Sequence, residues 1–287
     1  MASLRDIRRK IKSVKNTQQI TKAMKMVAAA RLRRAQARII AARPFAQKME
    51  ELMTDVLHRM PPEQKHPLAV VREGSQRALL LVTSDKGLCG AFNTNLIREA
   101  MRYIQKHGPS NVRLYIVGRK GRDYFKRTGF PIVKEYANLF NNLGFHHAEI
   151  ISSDLIGGYE ADKSIVAVDL LYNEFKSVIQ QKVVVKPLLP LTPNEAATPL
   201  ANTDFIYEPA KERLIEGLIR RFLKAQVFRV LLESAASELG ARMSAMENAT
   251  KNASEIVDSL TLTLNRTRQA SITKEILEVV SGAEALK

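Results

Sequence analysis

The sequence LRDIRRKIKSV at residues 4–14 and the sequence LRRAQARIIAARPFAQKMEELMTDV at residues 32–56 decide the fold of the first part of the chain. In both stretches, apolar residues follow one another at alternating spacings of three and four, which is the pattern of a coiled-coil seam. One heptad track without insertions connects Leu4 to Val56. The pattern therefore predicts a long helix that packs against a partner along one face.

Prolines set the expected limits of this helix. Pro44 is expected to kink the helix without ending it, because a proline inside a helix removes one backbone hydrogen bond. Pro61-Pro62 is expected to end it. We therefore predict an N-terminal shaft helix over residues 1–60, followed by a linker over residues 61–74.

The middle of the heptad track is polar, since three consecutive heptad positions hold Gln18, Thr21 and Lys25. An apolar stripe lies on the neighbouring face there, and it consists of Ile20, Met24 and Val27. A change of packing partner partway along the helix would produce such a shift.

The end of the chain repeats the pattern of its beginning. Pro209 suits the first turn of a helix, and no further proline occurs before Lys287. Apolar residues again follow steps of three and four from Ala235 to Leu264. We predict a C-terminal shaft helix over residues 209–287. Two helices of this length exceed a compact globule, so we expect them to form an antiparallel pair.

The central part of the chain alternates between strands and helices. The predicted strands cover residues 78–83, 112–117, 131–135, 165–171 and 177–188, and the predicted helices cover residues 93–106, 123–128 and 146–157. This alternation indicates an α/β domain at residues 75–190 with a largely parallel sheet, followed by a return linker at residues 191–208. The predicted fold class is α/β: a long antiparallel coiled coil of the N- and C-terminal helices plus a central Rossmann-like α/β domain.

Positive charge is concentrated at one end of the chain. The net charge is +16, and residues 1–48 hold fourteen Lys or Arg and one acid, which gives +13 for that segment alone. Like charges spaced one turn apart on a helix repel one another. An anionic partner is therefore expected, and nucleic acid, a membrane surface or an acidic protein would each fit.

Nucleic acid is the weaker of these interpretations. The basic stretch from Arg31 to Arg38 lies inside the heptad track, whereas basic-zipper proteins place their basic helices outside the zipper. No aromatic residues interleave with it, which argues against stacking on single strands. Direct membrane insertion is not expected, because the sequence contains no run of eighteen apolar residues.

Two glycine-containing turns are the candidates for chemistry. The turn SDKGLCG at residues 84–90 follows a buried strand and precedes a helix, and Gly118-Arg119-Lys120-Gly121 follows the next strand. Neither matches the spacing of a phosphate-binding loop. We favour strand-to-helix turns that need glycine geometry. The single cysteine, Cys89, is expected to be packed rather than catalytic, although Lys86 lies nearby. No metal, cofactor or catalytic site is predicted.

Three motifs resemble a known family. Residues 11–29, IKSVKNTQQITKAMKMVAA, closely resemble the N-terminal signature of the γ subunits of F-type ATP synthases. The turn SDKGLCG is similar to the family's second motif. Residues 242–250, RMSAMENAT, and residues 265–275, NRTRQASITKE, are similar to the third. The length and the absence of a two-cysteine regulatory insert resemble the bacterial form.

The resemblance implies a function without catalysis by this chain. Members of the family are the central rotor shaft, one copy inside a ring of three α and three β subunits. The α/β domain forms the foot, beside the ε subunit and the membrane ring of c subunits. Nucleotide chemistry occurs on the β subunits. The resemblance thus implies a peripheral protein at the cytoplasmic face of the bacterial cell membrane, without nucleic acid as a partner.

The motifs also imply contact residues. Met24 and Lys25 would meet an acidic loop of the β subunit. A second contact with β would be formed near the C-terminus by Arg268, Gln269 and Thr273. Lys86 would lie near the lower rim of β. Tyr207 and Glu208 would approach the c ring and the ε subunit.

Overall fold

A computed structural model describes residues 3–59, 66–178, 180–192 and 211–284. The chain divides into two compact units. Met1–Ala28 and Met243–Lys287 form the first, which we call the paired-helix unit, and Ala29–Arg242 forms the second, which we call the sheet unit. Two long helices, α1 (Leu4–His58) and α5 (Lys211–Glu284), each contribute to both units.

In the paired-helix unit, α1 and α5 run antiparallel, as predicted. The hydroxyl oxygens of Thr21 and Thr250 lie 2.8 Å apart, and Lys25 pairs with Glu247. Residue numbers therefore increase along α1 in the direction in which they decrease along α5. Side chains at heptad spacing are buried between the helices: Ile7, Thr21 and Ala28 on α1, and Met246 and Ala253 on α5.

Within the chain, the seam stays on the heptad positions here, and most of the neighbouring apolar stripe is exposed. Thr21 is only 8% exposed, whereas Ile20 is 60% exposed and Val27 is 53% exposed. Met24 is half-buried. The polar positions stay on the seam because their groups find partners: the Thr21 hydroxyl lies 3.0 Å from the Gln18 carbonyl oxygen as well as next to Thr250. A buried hydroxyl with partners costs little free energy.

The sheet unit has five strands. In chain order, its elements are β1 (Gln76–Val82), α2 (Phe92–His107), β2 (Val112–Val117), α3 (Arg119–Arg127), β3 (Ile132–Tyr136), α4 (Phe145–Ala161), β4 (Ile165–Phe175) and β5 (Gln181–Leu189). Short 3-10 turns cover Pro109–Asn111 and Leu139–Asn141. The strand order is β3-β2-β1-β4-β5; the first four strands are parallel, and β5 is antiparallel to β4. The predicted alternation and the largely parallel sheet are confirmed.

Helix α3 begins earlier than the sequence predicted. It starts at Arg119 rather than at residue 123, so the stretch taken as a second glycine turn is the first turn of the helix. The backbone N–H of Arg119 donates to the carboxylate of Asp85, 3.2 Å away. A carboxylate at a helix N-terminus satisfies a free N–H group and favours an early start.

Both faces of the sheet are covered. On one face, strand β1 packs against residues of α1, α4 and α5, among them Met53, Ile151, Leu155, Ile219 and Leu223. On the other face, β1 packs against α2 and α3 through Phe92, Leu96 and Phe125. A continuous apolar run such as residues 78–82 suits a central strand that is buried on both sides. This packing fixes the turn that follows β1.

Helix α1 continues through Pro44 and ends at His58, and Pro61-Pro62 lies outside the described residues. Within the described part of the chain, no helix has both the length and the apolar character needed to cross a membrane.

Candidate functional site

The turn after β1 is held by side chains within and around it. The Ser84 hydroxyl donates to the carbonyl oxygen of Lys86, 2.7 Å away, and the backbone N–H of Ser84 donates to Asn93 Oδ1 at 3.0 Å. The carboxylate of Asp85 accepts a second backbone N–H, from Asn138 at 2.9 Å. Asp85 thus joins the turn to the beginning of α3 and to the segment after β3.

Helix α5 covers the same turn. Arg242 donates from Nη2 to the carbonyl oxygen of Gly87 at 3.0 Å and forms an ion pair with Glu238 at 2.5 Å. Burial raises the pKa of Glu238, and the neighbouring guanidinium opposes that rise. Of the residues in the turn, Lys86, Leu88 and Gly90 remain exposed. The turn therefore presents a cation and an apolar side chain on a rigid support.

The position of this turn is one at which doubly wound sheets bind nucleotides. Strands β2 and β4 lie on opposite sides of β1, so the strand order reverses at its carboxyl end. Here α5 packs against that end: the Ser237 hydroxyl donates to the carbonyl oxygen of Asn173 at 3.0 Å. The Ser237 side chain is thus engaged in joining α5 to β4.

Glycine geometry accounts for the turn after β2. Gly118 has a φ of +92°, and a Cβ built on it would stand 2.2 Å from the carbonyl oxygen of Thr83. A Cβ on Gly121 would stand 2.8 Å from the Thr83 hydroxyl oxygen. Both glycines allow the beginning of α3 to approach the end of β1. The expectation that this stretch needs glycine geometry is confirmed.

Cys89 lies in a packed environment. It is buried, and its sulfur accepts a hydrogen bond from Asn93 Nδ2 at 3.2 Å. Burial raises the pKa of the Cys89 thiol, which disfavours the nucleophilic thiolate. No group of three or more His, Cys, Asp or Glu side chains in the described residues is arranged to hold a metal ion.

Cationic side chains surround a cavity of about 320 Å³ beside the turn. Its basic lining residues are Arg31, Arg34, Arg38, Lys86 and Arg242, and its acidic ones are Asp85 and Glu238. Residues from three separate parts of the sequence thus form one positive surface in the sheet unit. The sequence predicted Lys86 here but not its basic neighbours.

In the paired-helix unit, the predicted contact residues have different surroundings. Lys25 Nζ lies 2.6 Å from Glu247 Oε1, and the Lys25 side chain is 36% exposed. Near the other end of α5, Arg268, Gln269 and Thr273 are all exposed, and the Thr273 hydroxyl donates to the Gln269 carbonyl oxygen at 3.0 Å. Lys25 therefore already has an acidic partner within the chain.

Most cations at the start of α1 have no such partner. Arg9 pairs with Asp6, but six exposed side chains have no acidic oxygen within 4.0 Å in the part of the chain that the structure describes: Arg5, Arg8, Lys10, Lys12, Lys15 and Lys22. This surface is thus suited to an acidic partner. Tyr207 and Glu208 lie outside the described residues.

Comparison with known proteins settles the family. A family model described as ATP synthase matches residues 3–286. The ATP synthase gamma chain of Anaeromyxobacter sp. (strain Fw109-5) is 49% identical over 291 residues, and the alignment covers all of both chains. The chain belongs to the ATP synthase gamma chain family. The gamma chain of Geotalea uraniireducens (strain Rf4) is 46% identical, again over the whole of both chains.

Solved structures are similar as well. A chain in the structure of the Tetrahymena thermophila mitochondrial ATP synthase central stalk and c ring matches 80% of this chain and 99% of that chain, with 31% identity and a TM-score of 0.61. A chain of the Euglena gracilis mitochondrial ATP synthase matches 99% of this chain and 94% of that chain, with 20% identity and a TM-score of 0.70. The second similarity concerns the fold alone.

Three residues that matter to these surfaces were not singled out from the sequence. Asp85 and Arg242 hold the turn that presents Lys86, and Glu247 pairs with Lys25. All three lie within the motifs SDKGLCG and RMSAMENAT, and their place in these motifs was the only sign in the sequence that they matter. Their partners lie 53, 155 and 222 residues away, so local spacing does not identify them.

Proposed function

We propose that this chain is the central rotor shaft of a bacterial proton-translocating ATP synthase, coupling rotation of the membrane c ring to ATP synthesis or hydrolysis on the β subunits. One copy turns inside a ring of three α and three β subunits and has no catalytic site of its own. The observation that carries this proposal is the antiparallel pairing of α1 and α5 through Thr21–Thr250 and Lys25–Glu247, with cations on the outside that have no acidic partner among the described residues.

The chain is peripheral in this proposal, at the cytoplasmic face of the cell membrane. The ε subunit and the c ring bind its foot, and Tyr207 and Glu208 are the proposed residues for that contact. Membership of the gamma chain family supports this placement.

The β-subunit contacts are proposed at three places. Met24 and Lys25 meet an acidic loop on one face of the paired helices, and Arg268, Gln269 and Thr273 form a second contact. Lys86 forms the third, on the turn that Arg242 supports. The exposure of Lys86, Arg268, Gln269 and Thr273 is compatible with these roles.

Reconstitution tests the function. The full chain is mixed with α and β subunits, and the complex is isolated by size exclusion and assayed for ATP hydrolysis. We expect one copy of the chain per hexamer and a change in hydrolysis when it is present. Failure to assemble, together with salt-sensitive binding to duplex DNA, would instead favour the nucleic-acid interpretation.

A charge swap separates the two possible roles of Lys25. Lys25→Glu brings a second carboxylate close to Glu247 and also reverses any contact with an acidic loop. The double variant Lys25→Glu with Glu247→Lys restores the pair within the chain. If β contacts Lys25, coupling of hydrolysis to proton pumping stays impaired in the double variant. Full recovery would assign Lys25 to the helix pair alone. Lys22→Glu, which has no acidic partner among the described residues, is the control for net charge.

Torque is best transmitted through many weak contacts, since one indispensable bond would hold the rotor in a single orientation. Arg268→Ala is therefore expected to reduce coupling without stopping rotation. Single-molecule rotation of the complex measures this directly. Complete loss of rotation from that one substitution would contradict shared contacts.

A further inference from the structure

A second cavity of the sheet unit serves none of the proposed contacts. It measures about 580 Å³ and lies between residues 39–47 of α1 and residues 221–233 of α5, beside the beginning of α4 and the end of β4. Its apolar lining consists mainly of Ile39, Phe45, Phe145, Phe175, Phe228 and Leu232. Sites for small organic ligands in proteins measure roughly 300–1,000 Å³ and have such a lining.

The aromatic wall of this cavity is partly open to solvent. Phe45 is 50% exposed and Phe145 is 40% exposed. The rings of Phe145 and Phe228 pack edge to face, with centroids 5.4 Å apart. This contact fixes one wall while leaving ring surface for an apolar molecule. Exposed clusters of this kind mark binding surfaces more often than isolated apolar residues do.

Four of the charged side chains at the rim of the cavity form ion pairs with one another. Lys176 pairs with Glu174 at 3.0 Å, and Arg229 pairs with Glu233 at 2.9 Å. Those four side chains therefore neutralise one another within the chain. The acids of the rim are thus already engaged.

Two cations of the rim remain. Arg43 and Arg221 line the cavity, and neither has an acidic oxygen within 4.0 Å among the residues that the structure describes. The guanidinium carbon of Arg221 lies 6.0 Å from the centroid of the Phe45 ring. A positive group thus stands directly beside the apolar surface.

We propose that this cavity binds a small amphipathic anion, a molecule with an apolar body and one carboxylate or sulfonate group. The apolar body packs against Phe45, Phe145 and Phe228, and the anionic group pairs with Arg43 and Arg221. Arginine suits this role because its guanidinium binds a carboxylate with two parallel hydrogen bonds. The proposal does not depend on rotation or on the β contacts.

Fluorescence tests it in the assembled complex. The probe is 8-anilinonaphthalene-1-sulfonate, an amphipathic anion that becomes fluorescent in apolar surroundings. Binding is measured as the difference between the wild-type complex and one carrying Arg43→Glu and Arg221→Glu, after size exclusion shows that both assemble. We expect the double variant to bind about tenfold more weakly, as the loss of hydrogen bonds to a charged group would cause.

Control variants and competing ligands test whether the cavity and its arginines account for the binding. Arg33→Glu, an exposed arginine of the same helix away from the cavity, should leave binding within about twofold. Arg221→Lys keeps the charge but cannot form two parallel hydrogen bonds, so it should bind the probe more weakly than the wild type and more tightly than Arg221→Glu, a comparison that holds even if the double variant fails to assemble. Dodecanoate should displace the probe, and dodecyltrimethylammonium should not.

Three results would overturn the proposal: equal displacement by the cationic competitor, equal effects of the rim variants and Arg33→Glu, or binding to the free chain that disappears in the complex. The last result would assign the cavity to a contact between subunits.

Discussion

Substitution of Gly118 by alanine tests the packing of the turn that presents Lys86. The residue has a φ of +92° and a ψ of +144°, backbone angles that few residues other than glycine adopt, so a side chain there costs about 1–3 kcal/mol. The new Cβ would also stand 2.2 Å from the carbonyl oxygen and 2.6 Å from the carbonyl carbon of Thr83. Both neighbours are backbone atoms of the segment between β1 and the turn, so relief requires movement of the chain itself. We expect a total loss above about 3 kcal/mol.

Two other glycines provide matched controls. Gly129 also has a positive φ, +72°, but no atom lies within 4 Å of a Cβ built there, so Gly129→Ala should cost about 1–2 kcal/mol from backbone strain alone. Gly217 is helical and equally open, so Gly217→Ala should stabilise the chain by about 0.4–1 kcal/mol. The three variants separate strain, overlap and helix propensity.

Denaturant unfolding measures the series. The chain has no tryptophan and seven tyrosines, all within residues 29–242, so tyrosine fluorescence reports on the sheet unit. Far-ultraviolet circular dichroism reports mainly on the helices. If Gly118→Ala unfolds at the same denaturant concentration as Gly129→Ala, the close approach to Thr83 does not limit stability and the reasoning fails.

Further expectations concern the seam, the cysteine and acid stability. Replacing Thr21 and Thr250 together by valine removes both seam hydroxyls, so the melting temperature should stay unchanged or rise by the equivalent of up to about 1 kcal/mol; a clear fall would show that their hydrogen bond stabilises the pair. Cys89 should react with a disulfide reagent at pH 8 only as fast as the chain opens, because burial raises its pKa; reaction at the rate of a free thiol would contradict this. Hydrogen bonding to His66 lowers the pKa of Glu216, so its contribution is present above pH 4.5 and lost as the pH falls through the lowered pKa. The difference in melting temperature between wild type and Glu216→Gln should therefore shrink below pH 4.5, and a constant difference would refute the linkage.

The sequence predicted the elements of the sheet unit because each carries a local signal. The run ALLLVT at residues 78–83 is apolar on both faces, and a strand buried on both sides needs that composition. The start of α3 was placed too late, since the carboxylate that satisfies its first N–H group belongs to Asp85, 34 residues earlier. Long-range capping leaves no trace in local spacing.

The seam of the helix pair also depends on a partner that is distant in the sequence. Heptad spacing located it correctly at both ends, but its polar middle was judged by the side chains of one helix alone. Thr21 stays buried because Thr250, on the other helix, lies within hydrogen-bond distance. Side-chain polarity predicts exposure only when no partner is available, and the partner here is 229 residues away.

That separation also affects how the chain is made. Thr21 leaves the ribosome 229 residues before Thr250, and translation proceeds at roughly 5–20 residues per second. Roughly ten to fifty seconds therefore pass between the synthesis of the beginning of α1 and that of the part of α5 that covers its apolar face. An amphipathic helix without its mate is marginally stable and exposes that face to solvent. Over this interval the uncovered apolar face is a surface that aggregation or chaperone binding can reach, until the segment around Thr250 pairs with α1.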